Sequence, residues 1–115
     1  MLVACRRRLL RNGFREAKSP MPTFRPDIFA QKRSKSGKVM REIAVEAEIP
    51  STLFYEHTTE QLLTMEDYIQ HQRARRIRVD GYLLVPHTKA ALALARSLIT
   101  SLFARGTSIR VLGLP

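Results

Sequence analysis

Residues 76–85 read RIRVDGYLLV, and the path of the backbone at Asp80-Gly81 decides the fold. An Asp-Gly pair between two β-prone runs is the strongest short-range hairpin signal, because both residues tolerate the positive φ that a two-residue turn demands. The run therefore predicts a hairpin joining residues 77–79 to residues 82–85. Its arms are short, and the same letters also fit one strand with a bulge at Gly81.

On the C-terminal side, Pro86 and His87 lead to Thr88, a good helix cap. Across residues 89–105, Ala91, Leu92, Ala95, Leu98, Ile99 and Leu102 recur at helical spacing, while Arg96, Ser97, Thr100 and Ser101 mark the wet face. Gly106 closes that helix, and residues 107–112 (TSIRVL) make a last strand. On the N-terminal side, Thr58 with Gln61 and Thr64 with Asp67 both match capping boxes, so the segment is either one helix with a polar threonine inside it or two short helices abutting, with Leu62, Met65 and Ile69 as the apolar stripe. Before it, residues 39–49 alternate: Ile43, Val45, Ala47 and Ile49 fall on one face and Glu42, Glu46 and Glu48 on the other, the period of a strand buried on one side. Pro50 and Ser51 stop that strand.

The order is strand, helix, two hairpin strands, helix, strand. This is an α+β chain whose two strand-helix-strand halves give the split βαβ plan of a small ferredoxin-like βαββαβ sandwich. If Asp80-Gly81 is not a turn, a three-stranded α/β layer results instead.

Charge divides the chain differently. Residues 1–41 hold twelve bases and two acids, which is the whole net charge of +10. The neutral remainder is itself polarised: residues 42–67 carry seven acids and no base, and residues 68–115 carry eight bases and one acid, Asp80. Residues 1–38 read as a long basic N-terminal arm and residues 39–115 as a small α/β domain. Pro20, Pro22 and Pro26 push the residues before them toward extended backbone, so the arm is expected to be mostly irregular. Residues 1–18 have no acid before Glu16 and can set Leu2, Leu9 and Leu10 apart from the arginines on a helix, the look of a mitochondrial targeting segment, here one kept as a binding tail. The plainer reading of that segment is an over-long start, with Met21 as the true first residue.

Spaced bases interleaved with aromatics suit a phosphate backbone, where charge neutralisation supplies affinity. The candidate RNA contacts are Arg6, Arg7, Arg8, Arg11, Arg15, Arg25, Lys32, Arg33, Lys35 and Lys38. Phe24 and Phe29 either assist there or dock on the protein's own body. Arg75, Arg76 and Arg78 form a second candidate patch, although bases late in a helix also complement its dipole. Residues of this kind position an RNA without reading its sequence. The carboxylates of Glu42, Glu46 and Glu48 offer oxygen ligands of the kind a hard cation takes, but no companion at a telling distance completes a metal site. They are expected to form a solvated stripe facing a basic partner protein or the arm.

One cysteine, Cys5, excludes an internal disulfide framework, and no run of apolar residues is long enough for a membrane span. His57, His71 and His87 are scattered, and neither a metal-ligand spacing nor a glycine-rich phosphate loop occurs. The sequence thus points away from an enzyme, with no cofactor and no small-molecule substrate expected.

Residues 76–115 also carry a family likeness. Ile77-Arg78-Val79, a helix with Ala95, Leu98 and Ile99, then Ile109-Arg110-Val111 and the closing Gly113-Leu114-Pro115 are together similar to the opening half of the small-subunit ribosomal protein ten family. That family has an Ile-Arg-Ile strand, a helix of comparable length and a Gly-Pro-x-x-(Leu or Met)-Pro segment in that order. The first proline of the segment is missing here, and the family's second half has no counterpart. The resemblance implies a body bound to ribosomal RNA and neighbouring ribosomal proteins.

Three functions fit these observations. The preferred expectation is a structural RNA-binding subunit of a mitochondrial ribosome or related ribonucleoprotein, working in the mitochondrial matrix. The second is an accessory subunit of a mitochondrial respiratory or ATP synthase complex, its basic segment lying along protein and anionic lipid. The third is a small bacterial or phage nucleic-acid-binding protein, although the chain shows no recognition-helix signature.

Overall fold

The run at residues 76–85 is not a hairpin. In the computed structural model, which describes residues 2–115, Arg78–Pro86 is one strand. It pairs in parallel with the strand Val39–Ala47, and the register is unbroken from Arg41 opposite Arg78 to Ala47 opposite Leu84, so Gly81 is not a bulge either. The reason lies above the strand. A Cβ on Gly81 would stand 2.8 Å from Ile69 Cδ1 and 2.9 Å from Met65 Sδ, both on the helix that covers this face. The glycine therefore serves the close approach of a helix to a strand rather than a turn. Its partner in the motif, Asp80, is taken up by an ion pair with Arg41 on the neighbouring strand.

The elements in chain order are α1 (Leu2–Arg11), β1 (Arg15–Glu16), β2 (Ile28–Arg33), β3 (Val39–Ala47), α2 (Glu56–Ala74), β4 (Arg78–Pro86), α3 (Lys89–Leu102) and β5 (Arg110–Leu114), with a 3-10 turn at Pro50–Thr52. The five strands form one mixed sheet in sequential order. β1, β2 and β3 are antiparallel neighbours, whereas β3, β4 and β5 are parallel and joined by α2 and α3. An α+β chain with helices packed on a sheet is what the pattern predicts. The ferredoxin-like plan is corrected: it needs a strand lying between the two parallel strands of each βαβ unit, and here those strands are direct neighbours. The three-stranded α/β layer is present as the parallel part of a larger sheet.

The expected irregular arm is also largely folded. β2 joins the sheet beside β3, and α1 lays Leu2, Cys5 and Leu9 on the sheet face opposite α2 and α3, over a cluster containing Phe14, Ile28, Ile43, Val45 and Leu84. Burial pushes the Cys5 thiol up from its ordinary value, a consequence of that seat against the sheet. Between β1 and β2 the proline-bearing stretch has no regular structure, yet Phe24 within it is buried. Its ring lies 5.1 Å from that of Tyr68 and 6.4 Å from that of Phe29, the latter edge-on at 85°. Edge-to-face pairs of this kind add roughly 0.5–1.5 kcal/mol each beyond the area they bury. The two phenylalanines thus dock on the protein's own body.

The main core lies between the sheet and α2 with α3, where Leu62, Met65, Tyr68, Ile69, Ala91, Ala95 and Leu98 meet Ala44, Val79, Leu83 and Val85. β3 is not buried on one side only: from Glu42 to Glu46 both faces are covered, Ile43 and Val45 by the α1 side, and the acidic face points into this core, while Ile49 beyond the strand is exposed. Glu42 is 1% exposed and Glu46 4%, so a wet stripe of three carboxylates does not exist; of the three, Glu48 alone keeps partial exposure. Glu42 is accommodated because its Oε1 accepts from Tyr68 Oη (2.6 Å) and Gln72 Nε2 (2.7 Å), and its Oε2 from Gln31 Nε2 (2.7 Å). A buried polar group without such partners would cost several kcal/mol. Of the capping signals, Thr88 holds, accepting from Ala91 N at 3.1 Å. Thr58 instead donates to Thr52 O and Thr64 to Glu60 O inside a single helix, α2.

Candidate nucleic-acid interface

The parallel register fixes where the charges go. Because Arg41 is level with Arg78, the starts of β3 and β4 lie at one end of the sheet. The turn that enters β3 is at that end, and so is the last turn of α2, which runs back to begin β4; β5 starts midway along β4, with Arg110 level with Tyr82. Each of these segments is basic. α2 has 19 residues and is therefore about 28 Å long, so it carries Glu56 and Glu60 to the opposite end of the molecule. A polarity spread along the sequence becomes a polarity across the fold.

The turn between β2 and β3 is closed by Ser34 N to Lys38 O at 2.8 Å, with Gly37 at φ 85°. Arg33 Nη1 donates to Gly37 O at 2.7 Å and stiffens it, which leaves Lys35 and Lys38 exposed at the tip. Lys32 lies behind them with its Nζ 5.8 Å from the centre of the Phe14 ring, and Arg41 stacks over the same ring at 5.7 Å. Phe14 thereby anchors two cations near the tip while α1 ends beneath them.

At the end of α2, Arg76 N donates to Arg73 O and Ile77 N to Gln72 O, each at 2.9 Å, with Arg76 at φ 61°. This is a Schellman closure with arginine in the position that usually takes glycine. Arg75 Nη1 reaches Gln72 Oε1 at 3.2 Å and so touches the polar network around Glu42. Arg73 Nη2 donates to Ser108 Oγ at 2.7 Å, tying the helix end to the segment before β5. Between these elements lies an open cleft of about 570 Å³, lined among others by Arg73, Arg76, Arg78, Asp80, Ser108 and Arg110.

The sequence-level candidates separate into three groups. Lys32, Arg33, Lys35 and Lys38 at the turn are brought to the same end as Arg75, Arg76 and Arg78. Arg6, Arg7, Arg8 and Arg11 lie on the exposed side of α1, and Arg6 is engaged by the Glu16 carboxylate and Asp27 O. Arg15 and Arg25 bond the nearby carbonyls of Phe14 and Pro22 and stand apart from the cleft. Arg41, Arg73, Ser108 and Arg110 were not legible as site residues. Register sets Arg41 beside Arg78, and the bond between Arg73 and Ser108 ties the end of α2 to the segment before Arg110; the sequence holds no local signal for either.

The acidic end has its own chemistry. Burial first, then a hydrogen bond to Asp27 and the negative charges of Asp27 and Glu48, push the Glu46 carboxyl up to about 9. Asp27 Oδ2 in turn accepts from Ala47 N at 2.8 Å. Burial and the bond to Glu42 likewise raise Tyr68 well above the ordinary phenol value, which keeps its hydroxyl a donor. Among the described residues no group of three His, Cys, Asp or Glu is placed to hold a metal ion, and no helix is long and apolar enough to cross a membrane. Compared with models of known families, with curated proteins and with solved structures, the chain has no significant match.

Proposed function

We propose that this chain is a structural RNA-binding subunit of a ribonucleoprotein, in the first place a mitochondrial ribosome, with its basic end on RNA phosphates. The observation that carries the reading is the level pairing of Arg41 with Arg78, which gathers bases from residues 32–41 and 73–78 at one end of the sheet, with Arg110 bordering the adjoining cleft. Helix-dipole compensation accounts for Arg73 and Arg75. It does not account for Lys35 and Lys38 on a turn, nor for Arg78 and Arg110 on strands. A polyanion accounts for all of them. The acid-free, arginine-rich α1 supports import into mitochondria, and the same helix packs on the sheet as part of the fold. Neighbouring ribosomal proteins would meet the remaining surface, with Glu48, Glu56 and Glu60 the acids available at the opposite end.

The test is binding of a structured RNA by fluorescence anisotropy at several salt concentrations. Counterion release by six phosphate contacts gives a slope of about −5 in log K against log salt. Replacing Arg33, Lys35 and Lys38 by glutamine should make that slope shallower by about three contacts. Binding that is indifferent to salt, or tighter binding to anionic-lipid vesicles than to RNA, would reject this reading; the second result would favour the respiratory-complex alternative.

A further inference from the structure

We propose that the cleft between the end of α2 and the start of β5 is a phosphate-binding site for the backbone of an RNA strand. The proposal rests on the RNA-binding reading above and names where the strand is gripped.

The cleft exists because β5 is short. β4 begins at Arg78, but its pairing with β5 begins only at Tyr82 opposite Arg110. The stretch Arg78 to Gly81 therefore has no strand neighbour on that side, and some of its backbone donors are left without a ladder partner. The space beside it is floored by Ile69 and Val79 and walled by Thr107 and Ser108.

Four arginines, Arg73, Arg76, Arg78 and Arg110, are among the residues that border this space. The one acid there, Asp80, is already bound by Arg41 at 2.6 Å, with Arg78 Nε farther off at 3.4 Å. Arg73 has the neutral Ser108 hydroxyl as its partner. Among the described residues Arg76 and Arg110 belong to no ion pair. The carbonyl end of α2 adds about half a negative charge at the cleft. That is far too little to neutralise the surplus of cations. A planar, many-donor cation without an acceptor is suited to bidentate capture of phosphate.

Arg76 is the telling residue. It occupies the left-handed position of a Schellman closure, with φ 61°, where glycine is free of the steric cost that an L side chain bears. An arginine at a position that disfavours it structurally, in a residue that borders the cleft, points to a role outside the fold.

The experiment compares the full-length protein with Arg76→Gly and Arg110→Gln. Arg76→Gly is expected to raise the thermal midpoint by a few degrees, about 4 °C, and at the same time to weaken RNA binding and reduce the salt slope by about one contact. Arg110→Gln, on an exposed strand position, is expected to weaken binding equally with no gain in stability. In NMR spectra of the wild type, a uridine tetranucleotide should shift the Nε–Hε signals of Arg76, Arg78 and Arg110. If both variants bind RNA like the wild type, the cleft proposal is overturned while the RNA reading stands. If the tetranucleotide shifts these signals but the protein fails to bind larger RNA with salt dependence, the RNA reading falls and the phosphate site stands. If Arg76→Gly loses stability along with affinity, the arginine is structural and the proposal fails. If nothing shifts and nothing binds, both are overturned.

Discussion

Arg41 and Arg78 stand directly opposite each other across β3 and β4, and Asp80 joins them, meeting Arg41 Nη2 at 2.6 Å and Arg78 Nε at 3.4 Å. Like charges facing each other across a sheet are destabilising, so the aspartate is what makes the basic end tolerable in the absence of a polyanion. Asp80→Asn is therefore expected to lower stability by about 1–2 kcal/mol in urea unfolding and to raise RNA affinity severalfold. A variant that is less stable and also binds RNA less well would contradict this division of roles.

Gly81 is expected to resist substitution because of packing. A methyl group there meets the ends of two flexible side chains, Ile69 and Met65, which can move at some cost. Gly81→Ala should lose about 1–3 kcal/mol by thermal or urea unfolding. Combining it with Met65→Ala should recover part of that loss, an effect that a glycine needed only for its backbone freedom would not show.

Stability should fall as pH rises. Glu46 has an ordinary value of 4.5 when unfolded and about 9 when folded, so between those values the folded state holds a proton that the unfolded state has released. The contribution is fully present below pH 4.5 and is lost progressively as pH climbs through the folded value, at a steepest slope of about 1.4 kcal/mol per pH unit. Glu46→Gln, which mimics the protonated form, should flatten the stability profile in that window. An unchanged slope in the variant would show that Glu46 is not the group responsible.

The Glu42 cluster offers a separate check on the core. Tyr68→Phe removes the donor at 2.6 Å and leaves Glu42 Oε1 with Gln72 alone. A loss of about 1–3 kcal/mol is expected in urea unfolding. A neutral result would mean that the tyrosine contributes through its ring only, against Phe24 and Phe29.

What could be read from the sequence was local. The alternation of β3, the Thr88 cap and the apolar stripes of α2 and α3 follow from neighbours within a few residues. Asp80-Gly81 misleads because its meaning is set by α2: the same glycine that permits a turn also permits a helix to come close. The arm misleads for a related reason. Its prolines argue for irregular backbone, and the backbone around Phe24 is irregular, but Phe24 is held by Tyr68, far away in sequence, and Gln61 fastens the loop by accepting from Arg25 N at 3.2 Å. The basic candidates were legible one by one; their meeting depends on the parallel register, which also brings in Arg41, and on the contact of Arg73 with Ser108, which draws the segment before Arg110 to the end of α2. The acidic stripe of β3 reads as facing solvent or a partner; it faces inward instead, where α2 supplies Tyr68 and Gln72 as polar partners for Glu42.

The most direct test of the account is to map protein–RNA cross-links by mass spectrometry after ultraviolet irradiation of the native assembly that contains this chain. The account predicts cross-linked peptides from residues 32–41, 73–78 and 107–110, with none from the start of α2 around Glu56 and Glu60. Cross-links concentrated at that acidic end, or an assembly in which the basic end meets only protein, would contradict it.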